Sequence, residues 1–115
     1  MTETVYQEFL RQKALSVPSV GFDIKTFCAT ALLPFQRDIV RVAARVGRFC
    51  VWADCGMGKT PMQLEWAHQV VAETGGRVLL LAPLAVSHQT IREAAKFGIP
   101  DVAFHSREGE TDAKI

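Results

Sequence analysis

Two glycines one residue apart, Gly56 and Gly58, separate a compact apolar run from an amphipathic one, and a lysine and a threonine follow directly. The whole segment is Ala53-Asp-Cys-Gly-Met-Gly-Lys-Thr60. Glycine accepts backbone angles that other residues resist, so successive N–H groups here can turn inward toward an anion. A helix starting near Lys59 adds the positive end of its dipole to the same spot. The pattern is Gly or Ala, four residues, then Gly-Lys-Thr or Gly-Lys-Ser; Ala53 opens it and Thr60 closes it. Such a loop cradles phosphates: the lysine supplies charge to the β- and γ-phosphates, and the hydroxyl ligates Mg²⁺. Asp54, Cys55, Gly56, Met57, Gly58, Lys59 and Thr60 are therefore candidate ATP-binding residues, with Lys59 in the catalytic role and Thr60 on the metal. Average residue usage gives this pattern by chance in a chain this long on the order of 1% of the time. A glycine-rich turn with a solvated lysine is the alternative, and the flanking runs argue against it.

The surrounding sequence supplies that context. Arg48-Phe-Cys-Val-Trp-Ala53 is short, apolar and rich in β-branched and aromatic residues, which predicts a strand leading into the loop. Met62, Leu64, Trp66, Ala67, Val70 and Val71 suit a helix over Thr60–Thr74, ended by Gly75-Gly76. Val78-Leu-Leu-Leu-Ala82 reads as a second strand, buried on both faces as in parallel sheets covered by helices. Pro83 breaks it, and a helix is predicted from about Val86 to Phe97, with Ile91, Ala94, Ala95 and Phe97 inward. Asp101–Phe104 reads as a short third strand, and Lys114-Ile115 as the first step of another. Upstream, Pro34–Val46 is predicted helical: Pro34 suits a first turn, Phe35, Ile39, Val42, Ala43 and Val46 recur at helical spacing, and Gly47 is a stop. Thr4–Lys13 reads as a short helix and Ser16–Thr26 as a connector. Alternation of this kind implies an α/β architecture with right-handed crossovers.

Composition sets outer bounds. The 115 residues suffice for one domain with one core. An apolar share of 49% and a charged share of 22% are those of a globular chain, and the net charge of +1 gives no overall electrostatic case for nucleic acid or membrane. Cys28, Cys50 and Cys55 show no zinc spacing. Cys50, in its apolar run, reads as a small core residue, and free thiols suit a reducing compartment. The start lacks a secretory pattern, and no apolar run approaches the ~20 residues of a membrane helix, so a cytoplasmic location without membrane contact is expected.

Three segments in order, Leu33-Pro-Phe-Gln-Arg-Asp-Ile-Val40, Trp52–Thr60 and Leu79-Leu-Leu-Ala-Pro-Leu-Ala-Val86, resemble consecutive motifs of superfamily 2 helicases. They are most similar to DEAD/DEAH-box and chromatin-remodeller-like ATPases, phage-encoded members included. The resemblance covers about Leu33 to Gly98. It implies a P-loop NTPase fold of RecA-like type, a three-layer sandwich around a mostly parallel sheet, incomplete here. Residues 1–32 would then be a helix and connector, and 33–115 part of the ATP-binding domain. It also implies that Gln36 reads the adenine edge, since an amide can donate to a ring nitrogen and accept from the exocyclic amine. Taken alone, Gln36 reads as an exposed glutamine at a helix start. Pro83 and Leu84 match the motif that touches a bound DNA or RNA strand; alone, they read as a strand terminator before a helix. His88, Gln89, Arg92 and Lys96 read as a solvated helix face, and His105 has no assigned role.

Hydrolysis in that family uses an Asp-Glu pair after an apolar strand, which holds Mg²⁺ and positions water. No apolar run here is followed by Asp-Glu, and Glu108, Glu110 and Asp112 sit in a polar stretch. Arginine fingers would come from a second RecA-like domain. The resemblance thus implies the ATP-binding N-terminal part of a nucleic-acid-dependent ATPase, marginally stable and unable to turn over ATP by itself. Two alternatives stay open. One is a small P-loop kinase, which wants an arginine-rich lid where only Arg107 occurs after Phe104. The other is a non-catalytic nucleotide-binding module completed by another chain.

Overall fold

The computed structural model describes residues 3–14, 18–104 and 115. Expectations placed on His105, Arg107, Glu108, Glu110, Asp112 and Lys114 lie outside these residues. Among the described residues there are four helices: α1 (Glu3–Lys13), α2 (Pro34–Val46), α3 (Lys59–Thr74) and α4 (Leu84–Phe97). Helix α2 packs on α3, and α3 on α4. Their shared core holds Ala29, Leu32, Val40, Met62, Leu64, Ala94 and Ile99. Ala95 of α4, expected inward, is exposed, whereas Ala94 is buried. Helix α1 buries none of its residues, and Val5, Tyr6, Phe9 and Leu10 stay exposed.

The helix ends follow from local chemistry. Gly47, Gly75 and Gly98 close α2, α3 and α4 with φ of 87°, 68° and 72°, each donating its N–H back into the last turn. The end of α2 is capped a second time by the connector. Val20, Gly21 and Phe22 donate to the carbonyls of Val46, Arg45 and Ala44 at 3.4, 3.0 and 3.0 Å. Gly21 lies so close to the Ala44 carbonyl that a Cβ there would collide with it. Glycine at 21 is what lets the connector satisfy those orphan acceptors.

Farther along, the connector is fastened to α3 by a buried carboxylate. Glu65 is 0% exposed. Its Oε1 accepts the Cys28 N–H at 2.9 Å and its Oε2 the Ala29 N–H at 2.6 Å. The Gln69 amide donates to Glu65 Oε1 at 2.6 Å and to the Thr26 carbonyl at 2.8 Å. Bonds to charged acceptors of this kind offset the cost of taking the carboxylate out of water.

The expected sheet is absent. Among the described residues there is no strand, so the RecA-like three-layer sandwich with a parallel sheet is corrected to an all-helical arrangement. The assignment to a P-loop, Walker A, DEAD/DEAH-box helicase domain conflicts with the same finding. The physical reason is pairing. Residues 49–52 and 78–82 have strand-like composition, yet no backbone hydrogen bond joins them to another described residue. Trp52, Leu79 and Leu81 are 95%, 76% and 84% exposed, so 78–82 is not buried on both faces either. Only the half-buried Leu80 of that run packs toward the core. Cys50, expected inside, is exposed with its segment. At the third run, Ile115 donates to the Asp101 carbonyl at 3.0 Å and accepts from Ala103 at 2.9 Å, a single parallel-type rung around Val102. One rung does not make a strand.

Candidate functional site

The glycine loop runs directly into α3, as its sequence requires. Gly56 and Gly58 have φ of 77° and 75°, the left-handed region that other residues enter only at a cost. Gly58 is the N-cap of α3, with no side chain capping it, and Pro61 brings no N–H to the first turn. The Gly58, Lys59 and Thr60 N–H groups therefore have no acceptor among the described residues. These are the donors an anion would meet at the positive end of the helix.

Lys59 turns back over the loop. Its Nζ donates to the Ala53 carbonyl at 2.8 Å and the Asp54 carbonyl at 3.0 Å. Lys59 is exposed, yet its ammonium folds back onto these two carbonyls, and phosphate oxygens would give it stronger, charge-assisted partners. Asp54 shapes the same turn: its Oδ1 accepts the Cys55 N–H at 2.8 Å and its carbonyl the Met57 N–H at 3.4 Å. Cys55 is exposed and belongs to the loop only through its backbone. Thr60, half-buried one residue into the helix, forms no side-chain hydrogen bond with the described residues, so its hydroxyl is free to ligate a cation. No cluster of three or more His, Cys, Asp or Glu side chains among the described residues could hold a metal alone. Thr60 is the residue of the loop whose hydroxyl could ligate a Mg²⁺ ion carried by a polyphosphate. By charge and donor set, the loop fits that group.

Gln36 lies against the loop, but not as an exposed glutamine. It is 7% exposed, and both ends of its amide are engaged. Oε1 accepts the Leu33 N–H at 2.9 Å, and Nε2 donates to the Met57 carbonyl at 3.0 Å. The first bond is half of a capping box at the start of α2; leucine has no side-chain oxygen to make the other half. Pro83 and Leu84 stand elsewhere. Pro83 is the N-cap of α4, its carbonyl accepting the Val86 N–H at 2.8 Å, and Leu84 is 71% exposed. Gln89 pairs with Glu93 on the exposed face of α4, and His88 lies 5.3 Å from the ring of Phe104.

An open groove of about 330 Å³ adjoins the loop, lined by Ala43, Phe49, Val51, Met62 and Trp66, with Lys59. It exists because segment 49–51 lies over α2 and α3 without sealing against them. Two contacts escaped the sequence reading, that of Gln36 with the Met57 carbonyl and those of Glu65 with the connector. The Met57 carbonyl carries no residue-type signal. Glu65 did carry one: it shares the buried stripe of α3 with Pro61, Met62 and Leu64, and a carboxylate on such a stripe marks a partnered, buried charge.

Comparison with protein-family models, with curated proteins and with solved structures found no match.

Proposed function

We propose that this chain binds the triphosphate of a nucleotide, ATP with Mg²⁺, at the loop from Asp54 to Thr60, without hydrolysing it. The observation that carries the proposal is local. Lys59 Nζ lies 2.8 and 3.0 Å from two carbonyls of the loop, and the N–H groups of Gly58, Lys59 and Thr60 at the start of α3 have no acceptor among the described residues. Lysine and backbone donors acting together recognise a polyphosphate. The absence of turnover rests on sequence: no Asp-Glu pair follows an apolar run to hold Mg²⁺ and direct water. The same motif resemblance supports DNA or RNA as a partner, with the exposed start of α4 as its contact, and free thiols support a reducing, cytoplasmic setting.

Titration calorimetry with Mg-ATP tests the proposal. Wild type is expected to bind saturably, and Lys59→Ala at least about tenfold more weakly, the loss of one charge-assisted contact. Equal affinity in the two proteins would remove the case for the loop. Turnover near 1 per second, an ordinary enzymatic rate of roughly that order, would refute the non-catalytic part.

A further inference from the structure

We infer that Gln36 is a positioning residue for the glycine loop, acting on the polyphosphate part of the ligand through Met57 and not on the base. The inference rests on the proposed function and specifies how that site is built. A side-chain amide has a fixed stock of donors and acceptors. At 7% exposure, Gln36 directs its donor end to the Met57 carbonyl and its acceptor end to the Leu33 N–H. Turning it toward a nucleobase breaks a half-buried hydrogen bond at either end.

The bond to Met57 has a geometric consequence. A trans peptide is planar, with its C=O and N–H pointing in opposite directions. Anchoring the Met57 carbonyl on Gln36 therefore turns the Gly58 N–H away from Gln36, and that N–H has no acceptor among the described residues. Gln36 thus aims one of the donors on which a phosphate would rest. Gly58 itself confirms how tightly the two fit, because a Cβ built there would strike Gln36 Nε2. The start of α2 is linked to the loop by this one side chain, which fixes the orientation of a peptide 21 residues away.

The test separates phosphate from base. Wild type, Gln36→Met and Leu33→Pro are titrated with Mg-tripolyphosphate, Mg-ATP and Mg-GTP, and the Gly58 amide resonance is recorded without ligand. Gln36→Met keeps the length of the side chain and loses both hydrogen bonds. Leu33→Pro removes the capped N–H together with an exposed leucine side chain and leaves the donor end of Gln36 on Met57, at a position whose φ of −68° already suits proline. Gln36→Met is expected to weaken all three ligands by the same factor, about tenfold or more, and to shift the Gly58 resonance. Leu33→Pro is expected to leave tripolyphosphate affinity and that resonance near wild type. If Gln36→Met does not fold, Gln36→Glu, which retains the acceptor for Leu33, is expected to shift the Gly58 resonance equally. Unchanged tripolyphosphate affinity with a selective loss of ATP overturns the inference and returns Gln36 to the base. An unmoved Gly58 resonance, or a loss in Leu33→Pro equal to that in Gln36→Met, also overturns it. Wild type binding neither tripolyphosphate nor ATP overturns the proposed function, and the inference with it.

Discussion

Replacing Glu65 by glutamine keeps the size of the side chain and changes only its hydrogen-bonding capacity. The carboxylate receives three donors, from Cys28, Ala29 and Gln69, at 2.9, 2.6 and 2.6 Å. A glutamine has one oxygen, so whichever way its amide lies, its NH₂ group faces at least one of the two backbone N–H groups. One charge-assisted bond is lost, and a buried donor is left unmatched, at a cost of about 1–3 kcal/mol. Against this, a neutral amide is cheaper to bury than a carboxylate. The structure decides between the two effects: with both oxygens already bonded to backbone, most of the desolvation cost is offset, and the broken bond dominates. The expected net loss is about 2 kcal/mol, which for a chain of this size lowers the midpoint of thermal unfolding by roughly 8 °C. Circular dichroism at 222 nm, with urea unfolding as a second measure, reads it directly. A Glu65→Gln variant as stable as wild type, or more so, would refute the argument that this carboxylate ties the connector to α3.

Two further outcomes follow from individual residues. Gly56→Ala and Gly58→Ala both place a Cβ at positive φ, but Gly56 faces open space whereas Gly58 meets Gln36. Gly56→Ala is expected to cost only the roughly 1–2 kcal/mol of a left-handed residue, and Gly58→Ala clearly more, in urea unfolding; equal losses would contradict the packing described. The Cys28 thiol is raised above its ordinary value, by burial first and by the Glu65 carboxylate second. Because the folded state then holds its proton longer than the unfolded one, its contribution to stability is complete below the unfolded thiol pKa and disappears as pH rises through the folded value. Unfolding free energy followed up through the thiol range should fall in wild type and fall less in Cys28→Ser; identical slopes would exclude the effect.

The helices were legible because their ends are local. Gly47 stops α2, Gly75 stops α3 and Gly98 stops α4, and Pro34 opens the first of these as the sequence predicts. Helix α4 begins two residues earlier than expected, at Leu84, because Pro83 serves as its N-cap. The strands expected at Arg48–Ala53 and Val78–Ala82 do not form, since β-branched and apolar composition describes a surface that suits a sheet but supplies no neighbour to pair with. Trp52, Leu79 and Leu81 have the residue types of buried strands and are among the exposed apolar side chains. In the glycine loop, the positive φ of Gly56 and Gly58 and the helix start at Lys59 could be read from spacing alone. The use of Gln36 as a strut could not, because it depends on a carbonyl 21 residues away.

Amide chemical shifts during titration with Mg-tripolyphosphate reach the central claim most directly. The N–H groups of Gly58, Lys59 and Thr60 should move together and saturate, while those of Val78 to Leu81 stay in place. A titration that leaves the three unmoved, or shifts every amide of the chain alike, would contradict a polyphosphate seat at the start of α3.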